Sequence, residues 1–295
     1  MENNLHILNG FQDSLFPVNI CEVEKYSILP EGSGFHSLHW HEDLQFAYCI
    51  YGNLTYQVNG IDYILNENEA LFINKGALHM SSSMSENGKY MTLTFPEELL
   101  YFFEDSRMKY KYVWPYTRVE FLRVYKISGK NDNELNVLKY LNQVLQVYKT
   151  SSIFEYDISI LITLIWKYMI FCLENIEYSY NPKDNEKQES VQMMLVFIHQ
   201  HYSEDITLQD ISDSSMISVS QCNRYFKSML NITPYEYLIQ YRIKKASDLL
   251  YNSTLNVTEI SAMVGFNNVT HFIQVFKKNY GISPKKYRME KEKEG

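Results

Sequence analysis

Hydrophobic and polar residues alternate with different periods in successive parts of the chain, and these periods predict its elements. Over residues 35–125, apolar residues alternate with polar ones in short runs, for example at residues 54–58, and turn residues separate the runs. The pair Asn59-Gly60 indicates a tight hairpin, because both central positions of a type I′ turn need a positive φ. Many short strands with regular turns predict a β-sandwich or a β-barrel.

A helical period replaces this alternation between residues 133 and 175. Apolar residues recur there at intervals of three and four, which places them on one face of a helix: Leu135, Leu138, Leu141, Leu145 and Tyr148. A second segment, residues 153–173, is apolar almost all round and predicts a buried helix. Its most apolar run, residues 158–173, contains Lys167 and is shorter than the ~20 residues that span a bilayer, so we expect no membrane partner.

Polar composition and Pro182 mark residues 178–189 as an interdomain linker. From Ser190 onward the pattern predicts short helices, because small polar residues recur where a helix N-cap is needed. These candidate caps are Ser190, Thr207, Ser218, Thr233, Asn256, Asn267 and Ser283. We therefore predict a strand domain over residues 1–130, a helical dimerisation segment over 131–177, the linker over 178–189 and a helical domain over 190–295.

Net charge is distributed unevenly along the chain. The whole protein has a formal charge of −8, but residues 190–295 contain 12 Lys and Arg against 10 Asp and Glu, whereas the remainder contains 15 against 25. This asymmetry points to a nucleic-acid partner for the C-terminal part only. A surplus of two positive charges is weak evidence by itself, so the arrangement of residues has to supply the argument.

Cysteine usage and the first residues bear on the compartment. Four cysteines, Cys21, Cys49, Cys172 and Cys222, are far apart and form no C-x-x-C pair, which fits a reducing cytosol and provides neither a zinc nor a disulfide framework. The opening stretch MENNLHILNGFQDSLFP lacks a basic start followed by an apolar run, so we expect no signal peptide. We predict a cytoplasmic protein.

Two segments of the C-terminal part, residues 206–237 and 255–287, share one layout. Each has a short helix containing Ile, a turn and a second helix that ends in Phe-Lys, and each closes with Thr-Pro or Ser-Pro and an aromatic residue. Gly265 stands where the turn needs a residue without Cβ, and Met216 or Ile217 stands there in the first segment. We predict helix-turn-helix units at about residues 206–230 and 256–280.

Packing and spacing support a tandem pair. In the first unit, Leu208, Ile211 and Met216 are expected to pack under the second helix. The second helices begin at caps 50 residues apart, Ser218 and Asn268 (or its neighbour Asn267), and a helix over residues 234–250 joins the units. Such a joining helix can place two recognition helices about one DNA turn apart, roughly 34 Å, in successive major grooves.

The stretch VTEISAMVGFNNVTHFIQVFKKNYGISPKKYR closely resembles the signature of the AraC/XylS family of transcription regulators. The resemblance covers residues 190–290 and implies an all-α domain that binds double-stranded promoter DNA through two recognition helices. It also implies a regulator, usually an activator, that works with RNA polymerase and forms a homodimer through the helices between residues 134 and 177. Two positions depart from the family pattern: Gln274 stands where Arg is frequent, and Ser212 where Ala is usual.

Helix geometry and the resemblance together give candidate DNA-binding residues. Ser220, Asn223 and Arg224 share one face of the first recognition helix, and Arg suits guanine while Asn and Gln suit adenine. Lys227, Lys277 and Lys278 fit either a solvated face or phosphate contact. The full set comprises Ser218, Ser220, Gln221, Asn223, Arg224, Asn268, Val269, Thr270, His271 and Gln274.

The N-terminal half resembles a cupin domain. HWHEDLQFAYCIYGNLTYQVNG, beginning at His39, resembles the first cupin motif, and NENEALFINKGALHM, ending one residue after His79, resembles the second. In metal-binding cupins three His and a carboxylate hold a divalent cation, but here Gln45 takes the place of the carboxylate and Asn74 that of the usual Pro. We therefore expect no metal and no cofactor.

Three interpretations of the histidines stay open: a metal site, the polar lining of a small-ligand pocket, and structural histidines. In AraC-type regulators this domain usually senses a small molecule, often a sugar, without metal. Aromatic faces that suit sugar stacking are Trp40, Tyr48, Tyr51, Tyr56 and Tyr63. The candidate effector pocket comprises His39, His41, Gln45, Tyr56 and His79.

These observations predict an α+β multidomain protein. It has an N-terminal cupin-like β-barrel, a helical dimerisation segment and a C-terminal all-α domain with two helix-turn-helix units. Its predicted function is sequence-specific regulation of transcription by DNA binding, in response to a small-molecule effector bound in the barrel. We expect no enzymatic activity. The alternatives are a metal-dependent cupin enzyme and a constitutive DNA-binding regulator whose barrel binds no ligand.

Overall fold

The computed structural model describes residues 15–24, 27–29, 38–118, 122–174 and 182–291. Two compact units divide the chain, Met1–Asn185 and Glu186–Gly295. The first unit contains β-strands followed by helices, and the second contains helices. This arrangement confirms the predicted α+β class.

Antiparallel strands form two sheets in the first unit. The strands are β1 (Asn19–Glu24), β2 (Ser27–Leu29), β3 (Leu44–Tyr51), β4 (Asn53–Val58), β5 (Ile61–Asn66), β6 (Ala70–Ile73), β7 (His79–Met84), β8 (Lys89–Phe95) and β9 (Val124–Ile127). One sheet has the order β2-β1-β8-β3-β6-β9 and the other the order β5-β4-β7. Among the described strands no ladder joins the two sheets, so the predicted barrel is an open pair of sheets.

Apolar residues from both sheets pack into one core. Leu54, Tyr56 and Val58 of β4 lie against Leu71 and other residues of the six-stranded sheet. The hairpin between β4 and β5 has positive φ at Asn59 (49°) and Gly60 (82°), as expected for the type I′ turn. This turn fixes the register that directs these side chains inward.

Helices cover the other face of the six-stranded sheet. A short helix α1 (Trp114–Thr117) precedes β9, and α2 (Asp132–Thr150) and α3 (Phe154–Leu173) follow it. Leu138 and Leu141 of α2 and Ile162 of α3 are buried in a core that includes Phe72 of β6. The ring of Phe72 lies 5.8 Å from that of Trp166. Part of the leucine pattern is therefore explained by packing within this unit.

Helix α3 is, among the described residues, the one helix whose length and composition would let it cross a membrane. The sequence had predicted a shorter apolar run. Ile158, Ile165 and Met169 are fully buried in the core of the unit, so its apolar composition is explained by packing.

The second unit contains seven helices within the described residues. They are α4 (Pro182–His201), α5 (Leu208–Asp213), α6 (Val219–Leu230), α7 (Pro234–Asn252), α8 (Val257–Met263), α9 (Val269–Tyr280) and α10 (Pro284–Lys291). The sequence predicted that Ser190 begins a helix, but Ser190 lies buried inside α4. A proline at the first position of a helix loses no hydrogen bond, which explains the earlier start. Of the predicted linker, residues 178–181 lie outside the described residues and residues 182–189 are helical.

Reciprocal capping bonds set the start of four of these helices. Thr207, Ser218, Thr233 and Asn256 each accept a hydrogen bond from a backbone N–H three residues on, and the side chain at that position accepts one from the cap's own N–H. Each such pair of reciprocal bonds, called a capping box, satisfies two backbone N–H donors that the helix leaves unpaired. Phe272 and Phe276 of α9 pack with Ile260 of α8 and with α7 into one core.

Candidate functional site

Helix α6 presents one polar face and buries the other. Cys222, Phe226 and Met229 are buried at spacings of three and four residues. Among the predicted DNA-binding residues on this helix, Ser220 and Arg224 are exposed. They are four residues apart, so both side chains project from the same side of α6.

The other predicted residues of α6 make local hydrogen bonds. The Ser218 hydroxyl accepts from the N–H of Gln221 (3.3 Å), and Gln221 Oε1 accepts from the N–H of Ser218 (3.3 Å). Asn223 Nδ2 donates to the Val219 carbonyl (3.1 Å). These three side chains shape the start of the helix, whereas Ser220 and Arg224 are exposed within α6.

Helix α9 has the same division. Asn268 is its cap and accepts from the N–H groups of Thr270 (2.8 Å) and His271 (3.1 Å). Thr270, His271 and Gln274 are exposed, and Val269 is half-buried. Ile273, which the sequence analysis did not select, is 37% exposed beside them. Its spacing of three residues from Thr270 places both on one side of α9, a signal that the sequence already contains.

The turns of the two helix-turn-helix units have the same backbone conformation but different residues. Gly265 has φ of +86° and Met216 has φ of +54°. Met216 is 90% exposed, so the expectation that it packs under the second helix was wrong. The turn requires a left-handed backbone conformation at this position, and the side chain of Met216 therefore points into solvent instead of the core.

Arg242 of α7 ties three segments of the second unit together. Its Nε donates to the Tyr202 carbonyl and its Nη2 to the Glu204 carbonyl, both at 2.7 Å. Its guanidinium lies 5.9 Å from the ring centre of Phe266, which follows the turn at Gly265. The loop before α5 and the turn before α9 are thereby held against one helix.

The three predicted pocket histidines converge in the first unit. The N–H of His39 donates to the His79 carbonyl (3.0 Å), and the N–H of His79 donates to that of His39 (2.9 Å). The His41 carbonyl accepts from Gly76 (2.8 Å) on the approach to β7. One potential ligand nitrogen of each of the three rings lies within 4.8 Å of the others.

Backbone carbonyls fix the protons of two of these rings. His79 Nδ1 donates to the Ala77 carbonyl (2.7 Å), and His41 Nδ1 donates to that of Asp43 (2.9 Å). Burial lowers the pKa of His79 well below 6.5, and the neighbouring His39 and His41 lower it further. Burial also lowers the pKa of His41, although Gln45 and Asp43 act in the opposite direction. Both rings are therefore neutral near pH 7, with a lone pair on Nε2.

Gln45 and Tyr56 extend this polar group. Gln45 Oε1 lies 3.1 Å from His41 Nε2 and accepts from the Thr94 hydroxyl (3.2 Å). Gln45 Nε2 donates to the Tyr56 hydroxyl (3.0 Å). The structure thus brings together all five predicted pocket residues. Neutral imidazoles with an available Nε2 fit the chemistry of a transition-metal ion, and His39, His41 and His79 would hold it.

The aromatic residues expected to stack on a sugar do not form one exposed platform. Trp40, Tyr48 and Tyr56 are buried. Tyr51 is 57% exposed at the end of β3, and Tyr63 is half-buried in β5. Most of these rings are therefore part of the hydrophobic core.

Asn74 has a role that the sequence did not reveal. Its side chain is buried, and Nδ2 donates to the carbonyls of Tyr116 (2.9 Å) and Leu122 (2.7 Å). Its Oδ1 accepts from the N–H of Lys75 (2.9 Å). It therefore fastens the end of α1 and the approach to β9 onto the strand β6.

Comparison with known proteins supports both units. Residues 211–290 match the model of a helix-turn-helix domain, and residues 25–93 match that of a cupin domain. The chain is 34% identical over 259 residues to the uncharacterized HTH-type transcriptional regulator YdeC of Bacillus subtilis, covering 87% of each protein. It is 26% identical to the Msm operon regulatory protein of Streptococcus mutans, over 78% of this chain and 84% of that protein.

Among solved structures, one similar protein is a transcriptional regulator with an AraC-type DNA-binding domain from Chromobacterium violaceum. It is 23% identical, covers 37% of this chain and 96% of its own, and gives a TM-score of 0.35.

Proposed function

This chain belongs to the AraC/XylS family of DNA-binding transcription regulators, and from that premise we propose that it binds promoter DNA with α6 and α9 together under the control of a small-molecule effector. The observation that carries the proposal is the pair of helix-turn-helix units in one compact unit, each with a capped helix whose polar face is exposed. Two such helices fit successive major grooves on one side of DNA.

The residues proposed to contact DNA divide by their surroundings. Ser220 and Arg224 of α6 and Thr270, His271 and Gln274 of α9 are exposed and are placed to meet base edges or phosphates. The positive ends of the helix dipoles at the start of both helices suit phosphate oxygens. The remaining members of the proposed set cap or shape the helices and orient these side chains: Ser218, Gln221, Asn223, Asn268 and Val269.

Arg224→Ala should weaken binding to the cognate site by about 1–3 kcal/mol and relax specificity, because an exposed arginine on a recognition helix can bond guanine bidentately. The measurement is fluorescence anisotropy with cognate and scrambled duplexes at one salt concentration. Lys227→Ala removes the same charge one turn along and is the matched control, with similar losses expected on both duplexes. Equal losses for Arg224→Ala on both duplexes would assign it to phosphate, and no loss would remove it from the interface.

A fragment of residues 182–295 should bind the promoter as a monomer. It begins at Pro182 rather than at the predicted domain start, Ser190, because α4 begins there and Gln188 is buried in that helix. Binding should weaken steeply with salt, since phosphate contacts release counterions. Its affinity should be below that of the full chain, which gains from a second linked copy.

Titration of fragment and full chain on one promoter at several salt concentrations tests this proposal. A folded fragment that binds no DNA, or binds without salt dependence, contradicts the use of both helices. A fragment that still responds to the effector contradicts the assignment of sensing to the first unit.

The N-terminal unit is proposed to bind the effector at His39, His41, Gln45, Tyr56 and His79, the polar group that its two sheets enclose. Effector binding would alter how two copies present their helices, which requires different affinities for the two arrangements. Family membership supports this role over that of a metal-dependent enzyme. A thermal-shift screen that finds no stabilising small molecule would favour the constitutive regulator instead.

Dimerisation is proposed to use α3. Apolar side chains are exposed at helical spacing along it, beginning at its N-cap residue: Ile153 (61%), Tyr156 (76%), Ile160 (53%) and Phe171 (45%). Water-exposed apolar stripes of this kind favour contact with another helix. The regulator is further proposed to act in the cytoplasm as an activator that contacts RNA polymerase. The predicted limits of the strand domain, residues 1–130, and of the helical segment, residues 131–177, stay proposals.

A further inference from the structure

The two recognition helices, α6 and α9, can be compared position by position. Each contains 12 residues and begins directly after its cap, Ser218 or Asn268. The fourth and eighth residues after each cap are buried: Cys222, Phe226, Phe272 and Phe276. Residues at the same distance from the cap therefore occupy equivalent places, and under the proposed function they meet a major groove in equivalent ways.

The fifth and sixth residues after the cap differ in chemistry between the two helices. In α6 they are Asn223, whose amide donates to the Val219 carbonyl (3.1 Å), and the exposed Arg224. In α9 they are Ile273, which is 37% exposed, and the exposed Gln274. An arginine suits guanine, whereas a glutamine suits adenine. The two helices therefore offer different groups to the bases.

Ile273 is an apolar side chain among polar ones. Its neighbours on the exposed surface of α9 are Thr270, one turn earlier, and Gln274. A branched side chain has essentially one χ1 rotamer in a helix, so its contact with DNA costs little side-chain entropy. Of the groups that base edges present in the major groove, the 5-methyl group of thymine is the one that suits an apolar side chain. Contact between the two removes apolar surface from water.

We propose that Ile273 contacts the 5-methyl group of a thymine and that Gln274 bonds an adenine of a neighbouring base pair. Helix α9 then selects a DNA segment of A·T pairs, whereas α6 selects a segment that contains a guanine bound by Arg224. The inference rests on the proposed function and adds which bases each helix reads. Because the two segments differ in their bases, one chain binds its site in a single orientation.

The test begins with selection of a bound sequence by the full chain from duplexes with a random central region. Two conserved segments should emerge, one with a guanine and one of A·T pairs. Each thymine of the selected duplex is then replaced singly by uracil, which pairs identically and lacks only the 5-methyl group. Fluorescence anisotropy at one salt concentration should show a loss of about three- to fivefold at one thymine of the A·T segment, as expected for one buried methyl group.

Variants assign this loss to a side chain. In Ile273→Ala the same uracil should cost no further affinity, because the contact is already absent. In Ile273→Val, which keeps a branched apolar side chain, the loss should persist. Met263→Ala removes an exposed apolar side chain of α8 and is the matched control, in which the loss should also persist. A loss that persists in Ile273→Ala, or a duplex without a uracil-sensitive thymine, overturns the contact.

Gln274→Arg gives a second readout. At one pair of the A·T segment it should shift the preference from A·T to G·C by about tenfold or more, since arginine bonds guanine bidentately. An unchanged preference at every pair of this segment overturns the role of Gln274.

The selection itself separates this inference from the proposed function. A full chain that enriches no sequence contradicts the proposed function. A chain that enriches two segments but shows no uracil effect that depends on Ile273 is still a sequence-specific regulator, and only the inference fails.

Discussion

Gly265→Ala should destabilise the C-terminal unit by about 3–4 kcal/mol. Promoter binding by the variant should be abolished near the unfolding temperature of this unit. The residue has φ of +86°, where a side chain is strained. A Cβ there would lie 2.6 Å from the Tyr202 carbonyl oxygen and 2.9 Å from Arg242 Nη2. The carbonyl is backbone held by Arg242, so it cannot retreat without breaking that bond.

Met216→Gly is the matched variant at the turn of the other unit, and its effect should have the opposite sign. Glycine adopts φ of +54° without strain, and little packing is lost because the Met216 side chain is 90% exposed. We expect a gain of about 0.5–1 kcal/mol. Urea unfolding of the 182–295 fragment, followed by circular dichroism, measures both changes. Equal effects of the two variants would contradict the geometry of these turns.

Asn74→Ala should destabilise the N-terminal unit by about 3–4 kcal/mol. The substitution removes three hydrogen bonds and leaves the carbonyls of Tyr116 and Leu122 without their buried donor. The three tryptophans, Trp40, Trp114 and Trp166, all lie before residue 186, so tryptophan fluorescence in the full chain reports this unit alone.

Asn66→Ala is the control for this measurement. Its side chain also donates one hydrogen bond, to Glu69 (3.2 Å), but the contact is exposed, and we expect a loss below about 1 kcal/mol. A similar loss in the two variants would show that Asn74 does not fasten α1 and β9.

Local rules explain why much of the fold could be predicted from the sequence. Thr207, Ser218 and Thr233 cap helices because each bonds a backbone group three residues away, and Asn59-Gly60 sets a hairpin by its own φ angles. The tandem helix-turn-helix pattern repeats such local signals twice. Sequence spacing alone therefore located α5, α6, α8 and α9 closely.

Distant contacts explain what the sequence did not reveal. Asn74 seemed only a departure from a motif, because its partners are 42 and 48 residues away. The contact of Gln45 with His41 and the burial of His79 Nε2, which has no hydrogen-bond partner among the described residues, depend on how three segments meet. Hydrophobic alternation predicted the strands, but it carries no information on whether two sheets close into a ring.

The bonds of Arg242 bear on the architecture of any promoter that this regulator controls. Since the loop before α5 and the turn before α9 are both held against α7, we expect the two recognition helices to keep a fixed spacing. DNA turns once in about 10.5 base pairs, so the two DNA segments that the recognition helices contact must keep a constant helical phase. Inserting five base pairs between these segments rotates the second one to the opposite side of the duplex. Such an insertion should silence a promoter in which both segments are intact.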